Sequence, residues 1–245
     1  MLLNSQGFLL LFLQIVLGGY YAFAGSRRVR ERFLIAASFF FYGYWDYRLI
    51  PLLAGSIVAN WLFAKAIRAE GSKAVFACGI ALNLGIIGVF KYADFFAGSL
   101  AWALGDVHSP WNIVLPLGIS FFTSKQNYYL ADHYRGEAPE YGFREYDLYI
   151  SFFPQLIAGP IVRHNELIPQ LDASPFREGL YERLSRGATL LTIGLAKKVF
   201  IADVAARIAD PLFQAAGKGT ISTVDAWVGV LAFTFVSIAW SFLDD

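Results

Sequence analysis

The sequence is short of charge. Only 16% of its 245 residues are Asp, Glu, Lys or Arg, whereas 57% are hydrophobic. A soluble domain of this length needs a polar skin over its core, and this chain has too few charges to make one. Cysteine occurs once, as Cys78, which excludes an internal disulfide and reads as a small residue packed in an apolar run. Histidine occurs three times, as His108, His133 and His164, and none has a partner at metal-ligand spacing, so no metal site is expected. The formal net charge is +1, which gives no reason to expect nucleic acid as a partner. Long apolar runs and an aromatic fraction of 17% take the place of charge. Trp and Tyr of this abundance suit the two interfaces of a bilayer. The fold class is therefore all-α, a polytopic transmembrane helical bundle with the lipid bilayer as its surroundings.

Spans are expected near 6–24, 33–45, 50–66, 74–90, 111–131, 188–208 and 224–243. The first is long enough to cross a hydrocarbon core of about 30 Å. No positive charge precedes it and "SRRVRER" follows, the reverse of a cleaved signal, so it reads as a retained helix with its N-terminus outside. Asp46, Arg48 and Pro51 mark a tight outer turn between the second and third spans, with Pro51 in a first helical turn where its missing N–H costs nothing. "KAIRAEGSK" returns a basic loop to the cytoplasm. Lys91 and Asp94 are spaced to reach each other on one helix face. Residues 97–110 hold no Lys or Arg and are placed outside, and "DHYRGEAPEYGFREYD", with Arg135 and Arg144, is placed inside. A polar cytoplasmic helix is expected over 172–187 after Ser174-Pro175. Lys197 and Lys198 lie within an apolar segment and are expected to snorkel, with Asp203 and Arg207 pairing at i, i+4. Lys125 inside a span is costly unless paired.

The stretch "SFFPQLIAGPIVRHNELIPQL" (151–171) starts like a membrane helix and then breaks. Pro154, Gly159 and Pro160 lie too close together for a spanning helix. Irregular backbone is tolerated at membrane depth only when buried in protein or lining a wet cavity. A re-entrant cytoplasmic hairpin over 151–164 is expected, shaped by Pro154, Gly159 and Pro160. Gln155, Arg163 and His164 line its mouth, where a guanidinium is able to clamp phosphate or carboxylate. The plainer alternative is a proline-terminated helix with a basic interfacial end, in which Arg163 is a positive-inside anchor and His164 sits at the headgroup boundary. His133, beside Asp132 and Arg135, reads as a cytoplasmic loop residue, and His108 as an outer-loop residue. Ser120, Thr123 and Ser124 have no base at a recognisable spacing and read as helix-packing hydroxyls.

"LPLGISFFTSKQNYYLADHYRGE" (115–137), the 151–171 stretch, "GLAKKVFIAD" (194–203) and "FFFYGYWDYRLIPLL" together resemble the membrane-bound O-acyltransferase family, nearest its bacterial alginate O-acetyltransferase branch. The resemblance implies helices ringed around a funnel in the bacterial inner membrane. It implies acyl transfer from a cytoplasmic thioester, acetyl-CoA or an acyl carrier, to hydroxyls of an exported polysaccharide. No bound cofactor is implied; the thioester is a substrate, and polysaccharide-modification proteins outside the membrane are the expected partners. It also implies that the chain is an N-terminal portion, apparently truncated, because the family's intramembrane catalytic His belongs beyond residue 245. No residue of 1–245 is assigned a catalytic role, and the chain alone is expected to be inactive. Ser124 and Lys125 depart from the family pattern, which favours an apolar or aromatic residue and Gln there. The readings from other classes are a non-catalytic membrane scaffold or export component, and a transporter whose broken helix lines a permeation path.

Overall fold

The computed structural model describes residues 5, 7–104, 111, 113–156, 162–219 and 221–241, the side chains of Glu70 and of residues 238–241 excepted. It is 83% helix, with no strand among the described residues. Two compact units are present, Met1–Pro175 and Phe176–Asp245.

In the first unit a π-helical turn, Phe8–Phe12, runs into α1 (Leu13–Ala22), and α2 (Arg27–Asp46) follows. Asp46 has extended backbone and its carboxylate accepts the Arg48 N–H at 2.9 Å, which stops α2 and opens a 3₁₀ turn, Tyr47–Leu49. Then α3 (Ile50–Glu70) begins, with Pro51 in its first turn. Next come α4 (Lys73–Ile87), a π-helical turn (Gly88–Tyr92) and α5 (Ala93–Ala103). After these come α6 (Ile119–Arg135), α7 (Phe143–Ser151), the single turn α8 (Phe153–Leu156) and α9 (His164–Asp172). Gly136, at φ 74°, ends α6 in a left-handed conformation that costs glycine little. The second unit holds α10 (Leu180–Lys197), a π-helical turn (Lys198–Ala202), α11 (Asp203–Gly217) and α12 (Thr223–Ser241).

The helices differ from the sequence expectation in several places. The fourth helical segment does not stop near 90. It passes through the π turn and ends at Ala103, because no Pro or charge run interrupts it. The next helix starts at Ile119 rather than 111. The expected helix over 172–187 and the expected span over 188–208 are one helical run from Leu180 to Gly217. Asp203 pairs with Lys198, at 2.7 and 2.9 Å, rather than with Arg207. The π turn is the reason, since its i→i+5 register sets Lys198 over Asp203. Asp94 accepts the Trp111 N–H at 2.9 Å, and the Lys91 ammonium lies 5.5 Å from the Tyr92 ring centroid. The runs Arg27–Ala69 and Lys73–Ala103 are long and apolar enough to cross a membrane by length and composition.

The first unit has two apolar clusters. One gathers Leu53 and Ile57 of α3, Phe122 and Leu130 of α6, and Tyr146, Tyr149 and Ile150 of α7. The other packs Phe8, Phe12, Phe41 and Phe153 ring against ring, with Phe12 and Phe153 edge-to-face at 5.2 Å. Between α3, α4 and α6 runs a ladder of buried amides. Asn60 donates to the Asn83 side-chain carbonyl at 2.9 Å, and Asn83 donates back at 2.7 Å. Asn83 also donates to Asn127 at 2.7 Å, Asn60 to Gln126 at 3.2 Å, and Gln126 to the Ser56 hydroxyl at 3.2 Å. Gly79 lets α4 approach closely enough to make these bonds, since a Cβ there would lie 2.8 Å from a Leu130 methyl.

Asn60→Ala is expected to leave Asn83 and Gln126 short of partners and to lower stability by about 1–3 kcal/mol. Thermal unfolding in detergent checks this against Ser99→Ala, whose hydroxyl is exposed and bonds the Phe95 carbonyl of its own helix. Equal melting of the two variants would show that the ladder contributes nothing.

Candidate functional site

The break at Phe152, where α7 gives way to α8, is held from two sides. Phe152 leaves the helical region at φ −52°, ψ 110°. The last carbonyls of a helix have no intrahelical donor. Here the Lys125 ammonium of α6 donates to the Tyr149 carbonyl at 2.9 Å and lies 4.9 Å from the Tyr149 ring centroid. A cation at the C-terminus of α7 also meets the negative end of its dipole. On the other side the Ser38 hydroxyl of α2 accepts the Phe153 N–H at 3.2 Å. Lys125 is thus buried and paired, as its position in an apolar helix requires.

At the C-terminal end of α6 and the start of α9 lies a buried acid–imidazole pair. His164 is 2% exposed, and its Nε2 is 3.0 Å from Asp132 Oδ2. A carboxylate only accepts, so Nε2 carries a proton; in the neutral ring Nδ1 then accepts from the Tyr141 hydroxyl, 3.3 Å away. The rings of Tyr128, Tyr129, Tyr141 and Tyr149 enclose the imidazole at 5.4–6.0 Å. Arg163, the exposed residue preceding α9, sets its guanidinium 5.4 Å from the Tyr128 ring centroid. The corner therefore presents an exposed guanidinium on an aromatic plate in front of a shielded imidazole–carboxylate pair. It is able to orient an anionic, partly apolar ligand, and its imidazole is held in one tautomer by its neighbours.

Arg163 and His164 are brought together here. His164 is a buried, partnered helix residue rather than a headgroup-boundary one, because Asp132 satisfies its ring N–H. His133 is not a loop residue either: it lies in the last turn of α6, buried, edge-on to Tyr129 at 4.5 Å. Pro154 lies in α8, and Gln155 is half-buried there, its N–H bonded to the Phe152 carbonyl at 3.1 Å. The Gln155 Oε1 is buried without a hydrogen-bond partner among the described residues. Gly159 and Pro160, and with them the tip of the expected hairpin, lie outside the described residues. Sequence reasoning missed Asp132, Tyr141 and Tyr128 as members of the corner. Asp132 stands 32 residues before His164, and no periodicity links them.

A second charged cluster ties α2 to α7 and α9. Arg27 pairs with Glu31 at 2.7 Å, with Asp172 at 2.6 Å and with Glu145, while Arg144 lies 3.7 Å from Glu31. The Arg30 guanidinium donates to the Leu171 carbonyl at 2.7 Å. Glu31, Glu145 and Asp172 are close enough to offer oxygens to one cation, but the Arg27 guanidinium already stands among them. Asp147 of α7 has no such cation among the described residues. Burial raises its carboxyl to about 6, and Ser151, one turn on, offsets part of that rise.

Among curated proteins the chain is 34% identical to the peptidoglycan O-acetyltransferase of Helicobacter pylori, over 96% of this chain and 50% of that protein. It is 34% identical to the probable alginate O-acetylase AlgI of Pseudomonas aeruginosa, over 96% of this chain and 45% of that one. The corresponding values for the probable alginate O-acetylase AlgI of Azotobacter vinelandii are 34%, 96% and 47%. Over the residues it shares with them, the chain is similar to proteins of the membrane-bound O-acyltransferase family. The chain spans about half the length of the curated relatives it matches. No family model matches it. The corner at α6 and α9 stands on the 115–137 and 151–171 stretches that carry the resemblance.

Two outcomes are expected. His164→Gln keeps a donor that Asp132 is able to use, so it should melt above His164→Ala by the equivalent of about 1–3 kcal/mol; identical melting would show that the pair is not made. For Asp147 the folded-state pKa is about 6, above the usual 3.8. Its protonated form is therefore favoured by folding, and that stability is full below about pH 4 and lost as pH rises through about 6. Asp147→Asn should stabilise the protein at pH 8 by about 2–3 kcal/mol and by roughly a third of that near pH 4.5, read from melting curves at the two pH values.

Proposed function

We propose that the chain is the donor-facing part of a bacterial inner-membrane O-acyltransferase, a multi-pass helical bundle with its N-terminus outside. It takes an acetyl or similar acyl group from a cytoplasmic thioester, acetyl-CoA or an acyl carrier, for transfer to hydroxyls of an exported polysaccharide. The observation that carries this reading is the 34% identity, over 96% of the chain, with a protein named as a peptidoglycan O-acetyltransferase. The corner supports it chemically. Arg163 and its Tyr128 plate offer a contact for a phosphate-bearing donor at the cytoplasmic mouth. The buried His164–Asp132 pair behind them gives the mouth a rigid polar wall. The segment 151–164 is read as re-entrant, with Gln155 turned to a ligand or water and Pro154, Gly159 and Pro160 setting its bend. No residue of this chain is assigned the role of general base. The acceptor is a polysaccharide hydroxyl in either of the two named activities, and its partners are polysaccharide-modification proteins outside the membrane.

Proteoliposomes carrying the chain, or a version extended to the length of the relatives, are given labelled acetyl-CoA and acceptor glycan. Label is expected on the glycan only with the extended version. In that version Arg163→Gln should raise the KM for acetyl-CoA about tenfold with kcat nearly unchanged, the signature of a lost binding contact. Solute flux without label transfer would instead mark a transporter, and neither flux nor transfer a scaffold.

A further inference from the structure

The run Arg27–Arg32 divides its charges by helix face. Arg27, Arg30 and Glu31 face α7 and α9 and make the ion pairs and carbonyl contacts of that cluster. Arg28 and Arg32, one turn apart, are exposed on the opposite side, and neither side chain makes an ion pair or hydrogen bond among the described residues. A geometric reason underlies the split: at 100° per residue, positions 27, 30 and 31 share one arc and 28, 29 and 32 the other. The outer arc continues up α2 as a single exposed line through Ala36, Phe40 and Tyr44, with Trp45 and Tyr47 exposed beside its far end. Phe40 is 62% exposed and Val29, between the two arginines, 42%. Along this line the side chains are basic at one end, apolar in the middle and aromatic at the other.

We propose that this face of α2 binds an anionic phospholipid, its phosphate between Arg28 and Arg32 and its acyl chains along Val29, Ala36 and Phe40. Charge complementarity selects the headgroup, because two guanidiniums without carboxylate partners are matched by a phosphate diester carrying net negative charge. Length selects a lipid over a soluble anion. From Arg32 to Phe40 the helix rises about 12 Å, most of the roughly 15 Å depth of one leaflet's hydrocarbon. The aromatic end at Tyr44, Trp45 and Tyr47 stands about 18–23 Å along the helix from Arg32, past the end of that leaflet's hydrocarbon. This site requires α2 to cross the membrane, but it does not depend on the acyltransferase reading.

The test is lipid retention by the purified chain in mild detergent, offered phosphatidylglycerol and phosphatidylcholine and read by native mass spectrometry. Wild-type chain should keep phosphatidylglycerol in preference to phosphatidylcholine. Each guanidinium near an anionic headgroup is worth roughly fivefold in affinity, so Arg28→Gln with Arg32→Gln should lose about thirtyfold. The Arg28→Lys, Arg32→Lys pair, which keeps both charges, should hold most of it. Unchanged retention in the double Gln variant, equal retention of phosphatidylcholine, or displacement of the lipid by inorganic phosphate would each overturn the proposal. If the double Gln variant fails to fold, a salt series on the wild type decides. Retention should fall steeply between about 0.1 and about 1 M salt, and a flat response overturns the site. Loss of lipid binding with glycan acetylation intact, or the reverse, separates this site from the proposed activity.

Discussion

A polar group buried among apolar helices has to meet another polar group, and this one constraint organises the first unit. Asn60, Asn83 and Gln126 are each inaccessible to solvent on three different helices. An unpaired amide in such surroundings costs several kcal/mol, far more than a surface hydrogen bond returns. The three helices α3, α4 and α6 are therefore held in the one register that closes the ladder, since a slip of a single residue would turn each amide toward a hydrophobic neighbour. Apolar contacts alone would tolerate such a slip, because Leu, Ile and Phe pack against one another in many ways.

The same rule shapes the break between α7 and α8. A helix that stops inside a protein exposes carbonyls, and an apolar chain has few donors to answer them. Lys125 supplies one donor and Ser38 a matching acceptor, from helices that flank the break. A buried cation is normally a liability. Here the C-terminal dipole of α7 and the Tyr149 ring offset part of its desolvation, which explains how this chain accommodates Lys where the family pattern favours Gln. At the other end of the same assembly, Arg27 among Glu31, Glu145 and Asp172 fastens α2 to α7 and α9. The corner with His164 shares α6, α7 and α9 with these contacts, and a rigid frame is what a binding contact such as Arg163 needs in order to be selective.

The helical character of the chain was legible in its composition, and Pro51 and Asp46 marked helix ends where the structure has them. Other ends were not legible. The π-helical turn at Gly88–Tyr92 carries a helix past the expected end near 90, and a second such turn, Lys198–Ala202, lies inside a run that reaches beyond the expected 208. Such turns absorb one extra residue without breaking the hydrogen-bonded rod, and sequence spacing built on 3.6 residues per turn misses them. That is also why Asp203 found Lys198 rather than Arg207.

The candidate site divides along the same line. Arg163 and His164 stand next to each other in a stretch whose prolines and family resemblance singled it out, so their membership could be read from order along the chain. Asp132, Tyr141 and Tyr128 join them through contacts across α6, the segment after it and α9. The sequence by itself determined that the chain is helical, apolar and charge-poor, because those properties are sums over residues. Only the tertiary structure decided which of the few polar groups meet, because pairing depends on how helix faces are turned toward one another, and that rotation is set by all the contacts of a helix at once.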